Sequence, residues 1–306
     1  MSTIVSGNAP RLQQAGLESI FGLNYAKHAP QHLKYFDMRT STKSYEVALM
    51  VENTKTAQDK SEADSISFDT IGQGFAPKFV HSTIGLGLRI SEEAMEDDQY
   101  NVLSKGAKML GESIYNKECT MAANVLNNAF DTTYTMQGGD GLNLCSTSHV
   151  YGPNQSGTYS NRLTTDADLS EATLEALLIQ LSNTQDNRGK FIKVMSKDLI
   201  IATGNQFNAN RILNSEGRVN SANNDINAIR NMGLLSSDYI VDQYLTDADA
   251  WFLTTDVDDG LIGYTRRAER FMEDYGYESG VKKYKADKRL VFGWGDPRGV
   301  YGSQGA

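Results

Sequence analysis

Two strand patterns flank a polar segment that has no apolar side chain to anchor it. Residues 44–52 (SYEVALMVE) are β-branched and apolar, and residues 65–69 (SISFD) place Ile66 and Phe68 two positions apart. The residues between them, 54–64 (TKTAQDKSEAD), are polar and charged. This pattern predicts a projecting hairpin. A two-stranded hairpin is marginal alone and needs a second surface, for which a neighbouring subunit is the natural source.

A long helical pattern follows the hairpin. Residues 81–90 alternate as a strand, and the period then changes at Ser91, a candidate N-cap with Glu92 and Glu93 in the first turn. One face of the pattern is apolar and contains Leu103, Ala107, Leu110, Ile114, Met121 and Val125. A helix over about residues 91–128 would be on the order of 55 Å long, which is typical of a strut.

The second half of the chain mixes helices and short strands. Residues 137–167 read as loops, and Asp168 or Ser170 caps a helix. Another helix is predicted over Gln206–Leu213. Strands are predicted at Phe191–Met195, Leu199–Ala202, Tyr239–Val241, Ala250–Thr254 and Leu261–Tyr264, and then as a terminal pair joined by a turn at Ala286–Lys288. No regular βαβ alternation is present, so the predicted fold class is α+β.

Charge and composition narrow the class of function. The 306 residues carry 38 acidic and 29 basic side chains, a net charge of −9, which argues against tight nucleic-acid binding and does not exclude a protein that encloses DNA without binding it tightly. No segment approaches the roughly 20 apolar residues of a membrane helix, so no membrane association is expected. The protein is expected to be made in a cytoplasm. Cys119 and Cys145 share no metal or redox spacing, and both are expected to be reduced.

Two sequence pairs resemble reactive sites only superficially. His28 and His32 have the i, i+4 spacing of helical metal ligands, but Pro30 between them breaks a helix. Cys145 and His149 lie in one loop without a catalytic signature around them, so a loop cysteine beside a hydrogen-bonded histidine is the favoured interpretation.

Three further segments contain residue types found in ligand sites, but the positions of these residues in the sequence do not fit such sites. Residues 256–260 (DVDDG) begin like a calcium loop, but Arg267 stands where the last ligand belongs, so a turn entering a strand is predicted. The glycine-rich residues 293–299 precede no helix. The acidic side chains of residues 92–98 could suggest a carboxylate site, but acids in the first turns of a helix are explained by their favourable interaction with the helix dipole. The sequence therefore predicts no catalytic, cofactor or metal site and no enzyme activity.

Several segments in a common order resemble the major capsid proteins of tailed double-stranded DNA phages. The first two are Ile84–Leu88 (IGLGL) and Glu93–Tyr100 (EAMEDDQY). The others are Ala123–Asn127, Gly138–Gly141, Ser146–His149, Tyr159–Leu163, Asp168–Ala172, Ile212–Ser215, Asn223–Asn227, Tyr244–Asp247 and Phe292–Gly302. Each motif is weak alone, and together they span about residues 37–302.

The resemblance implies the HK97-type fold and a division of the chain into four parts. Residues 1–36 would form an N-terminal arm, and residues 37–80 the extended hairpin called the E-loop. Residues 81–168 and 282–306 would form the peripheral (P) domain, with the spine helix at about 91–128. Residues 169–281 would form the axial (A) domain.

The implied function is structural: copies would assemble as pentamers and hexamers into an icosahedral shell around phage double-stranded DNA. Lys55, Asp59, Lys60 and Glu62 at the hairpin tip are the predicted inter-subunit contacts. Some relatives crosslink a lysine of this loop, but solvated tip lysines are the favoured interpretation of Lys55 and Lys60. The short arm implies a separate scaffolding protein. A portal protein and a decoration protein are further expected partners, and the expected locations are the virion and, during assembly, the host cytoplasm.

Two alternatives remain open at this point. An encapsulin-type compartment would share the fold and enclose enzymes in place of a genome. A monomeric α+β enzyme with an unrecognised site belongs to a different class, and measurable turnover would support it.

Overall fold

The computed structural model describes residues 30–91, 93, 102–153, 155, 157–217, 225–235, 238–276, 278 and 280–306. Residues 1–29 of the predicted N-terminal arm, including His28, and the first turns of the predicted long helix lie outside these residues. No helix in the described ranges is long and apolar enough to cross a membrane.

Twelve strands and four α-helices make up the described part of the chain. The helices are α1 (Val102–Asn127), α2 (Glu171–Ser182), α3 (Gln206–Asn214) and α4 (Ala228–Met232). The first strands are β1 (Asp37–Thr40), β2 (Tyr45–Val47), β3 (Lys78–Val80), β4 (Ser82–Ile90), β5 (His149–Val150) and β6 (Thr158–Tyr159). The others are β7 (Ser196–Ile201), β8 (Tyr239–Val241), β9 (Trp251–Thr255), β10 (Leu261–Gly276), β11 (Val281–Trp294) and β12 (Val300–Ser303).

The first sheet carries the long helix on one face. Its strand order is β1-β10-β11-β4, with β1 parallel to β10 and the other pairs antiparallel. Alternate residues of β11 turn inward and pack with the apolar stripe of α1, in a core that includes Leu110, Ile114, Val125, Tyr284 and Leu290. Burying such side chains contributes roughly 1.5–3 kcal/mol each. The predicted helix face is confirmed for Leu110, Ile114 and Val125, all of them buried.

A buried ion pair joins the helix to the sheet. The Lys288 ammonium on β11 lies 2.8 Å from both carboxylate oxygens of Glu118 on α1. His32, in the short 3-10 helix Gln31–Lys34, places its Nε2 atom 3.5 Å from the same carboxylate. All three side chains are almost fully enclosed, so the pair connects the start of the described chain, α1 and β11.

The second sheet forms a separate core with α2 and α3. Its order is β12-β9-β7-β8, with β7 parallel to β8. Ser170 caps α2 in a capping box with Thr173, which confirms one of the two predicted caps. Leu174, Leu177 and Leu181 of α2 pack against Trp251 and Leu253 of β9. The predicted strands at Tyr239–Val241 and Ala250–Thr254 and the helix at Gln206–Leu213 are confirmed within a residue, and the predicted strand at Leu199–Ala202 is confirmed as the second half of β7, which starts at Ser196.

Two predictions about the strands are wrong. Residues 286–288 form no turn, because β11 is one continuous strand in which Ala286 and Lys288 face the helix. Asp287 points outward and pairs with Arg267 and Arg270 on β10 at 3.1 and 2.7 Å. The Phe191–Met195 run is also not a strand; Phe191 and Met195 are exposed, and β7 begins only at Ser196.

Each of the two sheets contains strands from both the predicted peripheral domain and the predicted axial domain. The predicted boundary at residue 281 falls at the first residue of β11, which pairs with β10 along most of its length. Strand β12, from the far end of the chain, pairs with β9 in the second sheet.

Candidate subunit interface

The candidate interface is the hairpin formed by residues 45–80. Strands β2 and β3 pair antiparallel, with Tyr45 opposite Val80. Backbone hydrogen bonds continue the pairing toward the tip, from Ala48 N to the Pro77 oxygen and from Glu52 N to the Gly72 oxygen, at 3.0 and 2.9 Å. The predicted hairpin is thus present. Its second arm is residues 72–80, so the strand predicted at residues 65–69 is wrong: Val51 bridges Gln73, and this register leaves residues 65–69 beyond the paired arms.

The base of the hairpin is fixed to the first sheet. Phe79 is fully buried and packs with Ala48, Ile262 and Tyr264, and the Phe79 and Tyr264 rings meet edge to face at 5.2 Å. Lys78 N donates to the Gln137 oxygen at 2.8 Å. These contacts set the direction in which the hairpin leaves the molecule.

The two faces of the first arm differ sharply. Ala48 and Glu52 turn inward and are buried, whereas the alternate side chains are exposed apolar groups: Tyr45, Val47, Leu49 and Val51. Val80, opposite Tyr45, is exposed as well. A row of β-branched and aromatic side chains without cover is typical of a surface that another protein contacts.

Near its far end the hairpin is held by a turn of its own chain. Arg188 donates from Nε to the Asn53 carbonyl at 3.2 Å and approaches the Glu52 carboxylate to 3.3 Å. Asn53 N donates to Asn187 Oδ1 at 3.0 Å, and Asn53 Nδ2 donates to Asp186 Oδ2 at 3.2 Å. We call residues 186–190 the latch turn.

Asp186 organises the latch turn from inside. Its Oδ1 accepts from the backbone N–H groups of Arg188 and Lys190, at 2.8 and 2.9 Å. Burial acts to raise the pKa of Asp186, but these hydrogen bonds, together with those from Asn53 and Lys190, outweigh it and hold the pKa below its usual value. The carboxylate therefore stays ionised and keeps the turn in shape.

The tip beyond the latch turn is exposed throughout. All of residues 53–71 are open to solvent, and Phe68 is 97% exposed. The predicted contact residues Lys55, Asp59, Lys60 and Glu62 lie here, and none forms an ion pair within the described residues. The Lys55 N–H donates to the Asp69 carboxylate at 2.7 Å, which, with the N–H of Thr70, holds the pKa of Asp69 below its usual value. The four side chains are therefore exposed and make no ion pair in the part of the chain that the structure describes.

Comparison with known proteins shows the family of the chain. A family model described as "Phage capsid protein" matches residues 77–303, more than half of the 306-residue chain. The chain belongs to the phage capsid protein family. It is thus a structural subunit of the virion shell, a major capsid protein, as the sequence motifs predicted. No curated protein matches this capsid protein at a significant level.

Solved structures show the fold of this capsid protein. The capsid of a native GTA particle matches with a TM-score of 0.59 and 10% identity, covering 91% of each chain. A virus-like particle from Pyrococcus furiosus matches with a TM-score of 0.55 and 11% identity, covering 94% of this chain and 97% of its own. The procapsid of bacteriophage JBD30 matches with a TM-score of 0.52 and 12% identity, covering 98% and 76%. The HK97-type α+β fold is confirmed.

The other sequence candidates of the capsid protein have structural roles. His149 lies between the Asp140 carboxylate, 2.5 Å from Nδ1, and the Leu144 carbonyl, 3.2 Å from Nε2. Cys145 is fully buried, and this burial raises the pKa of its thiol, so the reactive thiolate is suppressed. The predicted hydrogen-bonded histidine is confirmed. Within the described residues, no group of three or more His, Cys, Asp or Glu side chains could hold a metal ion.

The turn predicted at residues 256–260 is also confirmed. It joins β9 to β10, and Asp259 there has a positive φ of 57°. Asp259 accepts from Arg39 on β1 at 2.7 Å. The acidic side chains of this segment thus fix a strand entry.

Sequence reasoning missed two parts of the candidate interface. The exposed row on the first arm had a signal, because Tyr45, Val47, Leu49 and Val51 alternate with residues that turn inward. The latch turn had only its Asn, Asp and Gly content, which predicts a turn but not what the turn binds.

Replacing Arg188 with methionine is expected to loosen the hairpin without unfolding the subunit. The change removes the contacts to Glu52 and Asn53 and keeps an apolar side chain of similar length. Because the guanidinium is only partly buried, the free energy of unfolding should fall by about 1 kcal/mol or less. Hydrogen–deuterium exchange should accelerate at the amides of Met50 and Glu52, which pair across the hairpin. The exposed Arg211→Met variant is the control; equal exchange in both variants would contradict the role of the latch turn.

Proposed function

We propose that this capsid protein assembles with copies of itself, as pentamers and hexamers, into a closed icosahedral shell around phage double-stranded DNA. The observation that carries the proposal is the hairpin, which has an anchored base, an exposed apolar row and an exposed polar tip. Closed rings of one chain need heterologous contacts, in which one surface of a subunit meets a different surface of the next. A hairpin that projects from its own molecule supplies the first of these surfaces.

The proposed domain organisation keeps the four parts predicted from the sequence. Residues 1–36 are the arm, 37–80 the E-loop, 81–168 and 282–306 the peripheral domain, and 169–281 the axial domain. The strand pairings favour two adjustments: β10 joins the peripheral domain with β11, and β12 packs with the axial domain through β9.

Contacts around the capsomer axis are proposed for the axial domain. Its surface exposes Met195, Met232 and Leu234. The Ser196 hydroxyl donates to the Leu234 carbonyl, so Met195 and Leu234 are neighbours in space. A cluster of exposed apolar side chains on a phage capsid protein suits packing against its own copies.

The net charge of −9 supports a shell that contains DNA without holding it tightly. A separate scaffolding protein, a portal protein and a decoration protein are the proposed partners. Assembly would take place in the host cytoplasm and end with the subunit in the virion.

Negative-stain microscopy of the purified protein after size exclusion tests the proposal, with and without a candidate scaffolding protein. We expect closed particles that show five- and six-fold capsomers. Only small monodisperse species in both samples would overturn the assembly and return the choice to a protein that acts as a monomer.

A further inference from the structure

The outer strand of the first sheet has an unpaired edge. Strand β4 pairs with β11 on one side, from Ser82 opposite Leu290 to Ile90 opposite Lys282. No other described strand pairs with its far side, and no described backbone group bonds there. Most of β4 is exposed. A long exposed edge is a template for one more strand.

The surface beside this edge is shaped for a backbone. Gly85 and Gly87 both lie on the face of β4 turned away from α1, so two successive positions on that face carry no side chain. On the face toward α1, Leu86 is 48% exposed. Gly106 of α1 faces the Leu88 side chain, and Met109, one helical turn further along, is 63% exposed. The edge thus has an open backbone and apolar side chains without full cover.

A matching strand exists in the hairpin tip. Residues 65–69 (SISFD) carry the strand pattern, yet they form no strand in the chain itself. Ile66 is 67% exposed and Phe68 97% exposed, on alternate positions of the segment. No described hydrogen bond joins this segment to β4, so the pairing is not made within one molecule.

The charges of the two partners are complementary. Arg89 of β4 lies opposite Lys283 of β11, and neither forms an ion pair within the described residues. Asp274 of β10 lies opposite Lys283 on its other side, whereas no described strand places a residue opposite Arg89 on the free side of β4. The strand-like tip segment is acidic on both flanks, with Glu62, Asp64 and Asp69. An acidic strand at this edge therefore places an opposite charge beside Arg89, and opposite charges on neighbouring strands stabilise a sheet.

We propose that residues 65–69 of one subunit add as a fifth strand to the free edge of β4 in a neighbouring subunit. The partner is a second copy of this chain, so the inference rests on the proposed assembly. Ile66 and Phe68 then cover Leu86 and Met109, and the tip acids approach Arg89 and Lys283. This contact is heterologous, as a ring of subunits requires.

Cysteine pairs test the contact in assembled shells. Ser67→Cys is combined in turn with Thr83→Cys, Gly85→Cys and Arg89→Cys, all on the face of β4 turned away from α1. Mild oxidation should give covalent ladders of up to five or six subunits on a non-reducing gel for at least one pair. The native Cys119 and Cys145 are buried and should not contribute. Shells assembled from a mixture of the two single-cysteine variants should give crosslinked dimers only. The pair Ser67→Cys with Ile179→Cys, which is exposed on α2, should give no crosslink.

If the wild-type protein and the cysteine variants form shells, but none of the three pairs gives a crosslink, this inference is overturned and the proposed function stands. Absence of shells from the wild-type protein would instead overturn the proposed function.

Two single prolines provide a second measurement. Successive N–H groups of a strand point to opposite sides, so only one of Ile66→Pro and Ser67→Pro removes a donor that faces β4. Both positions are exposed and bond to nothing in the free chain, so both variants should fold. One variant should raise the protein concentration needed for assembly about tenfold more than the other. Equal effects of the two prolines would contradict strand pairing.

Discussion

Deleting residues 54–64 is expected to leave a folded subunit that no longer forms closed shells. The deleted residues are all exposed, and the bonds that hold the hairpin to the latch turn come from Glu52, Asn53 and Thr70, outside the deletion. The subunit therefore loses little of its own stability. It does lose up to about 36–40 Å of extended chain, and because the loop runs out and back, its reach shortens by up to about 18–20 Å, so the tip no longer meets a neighbour.

Three measurements check this result. Size exclusion and urea unfolding should show a monomer as stable as the wild type, and negative-stain microscopy should show no closed particles. An equal-length Gly/Ser replacement of residues 54–64 keeps the reach and removes the charges. A variant with alanine at Lys55, Asp59, Lys60 and Glu62 tests those four side chains alone, and it should weaken assembly less than the deletion does.

Normal shells from the deletion variant would show that the tip makes no essential contact, and the assignment of residues 37–80 as the E-loop would be wrong. A deletion variant that unfolds would instead show that the tip stabilises its own subunit. The two outcomes are separated by the unfolding curve.

The periodic elements could be predicted from the sequence because each is specified locally. The apolar stripe of α1 and the alternation of β4 follow from side chains that face one core. The wrong turn at Ala286–Lys288 comes from polar residues inside a strand. Residues 286–288 resemble a turn by composition, but Asp287 is stabilised in a strand by Arg267 and Arg270, which are distant in sequence.

The candidate interface was predictable only in part. The tip residues Lys55, Asp59, Lys60 and Glu62 were predicted to be inter-subunit contacts at the end of a projecting hairpin. They are exposed, and the contact itself stays a prediction. The latch turn joins Asn53 to Asn187 across 134 residues, and no local pattern encodes such a pairing. The segment 65–69 was predicted to be a strand and is not one in the single chain. Its pattern is explained if its partner is on another molecule.

Replacing Lys288 with methionine is expected to lower the free energy of unfolding by about 3–5 kcal/mol. The ammonium bonds both oxygens of Glu118 at 2.8 Å, and both side chains are almost fully enclosed. Methionine keeps the apolar stem but leaves the carboxylate in a site with little water. Urea unfolding of dilute subunits measures the loss. Lys285→Met, an exposed lysine on the same strand, is the control and should change stability by less than about 0.5 kcal/mol.

The double variant Glu118→Gln with Lys288→Met separates a lost charge pair from lost packing. With no carboxylate left to bury, it should recover a large part of the stability that Lys288→Met loses, because an uncompensated buried charge costs more than a neutral pair. His32, 3.5 Å from the same carboxylate, brings the start of the described chain to this point, so the single variant should also loosen residues 31–34. If Lys288→Met and Lys285→Met were equally mild, the packing of α1 on β11 would rest on its apolar contacts alone.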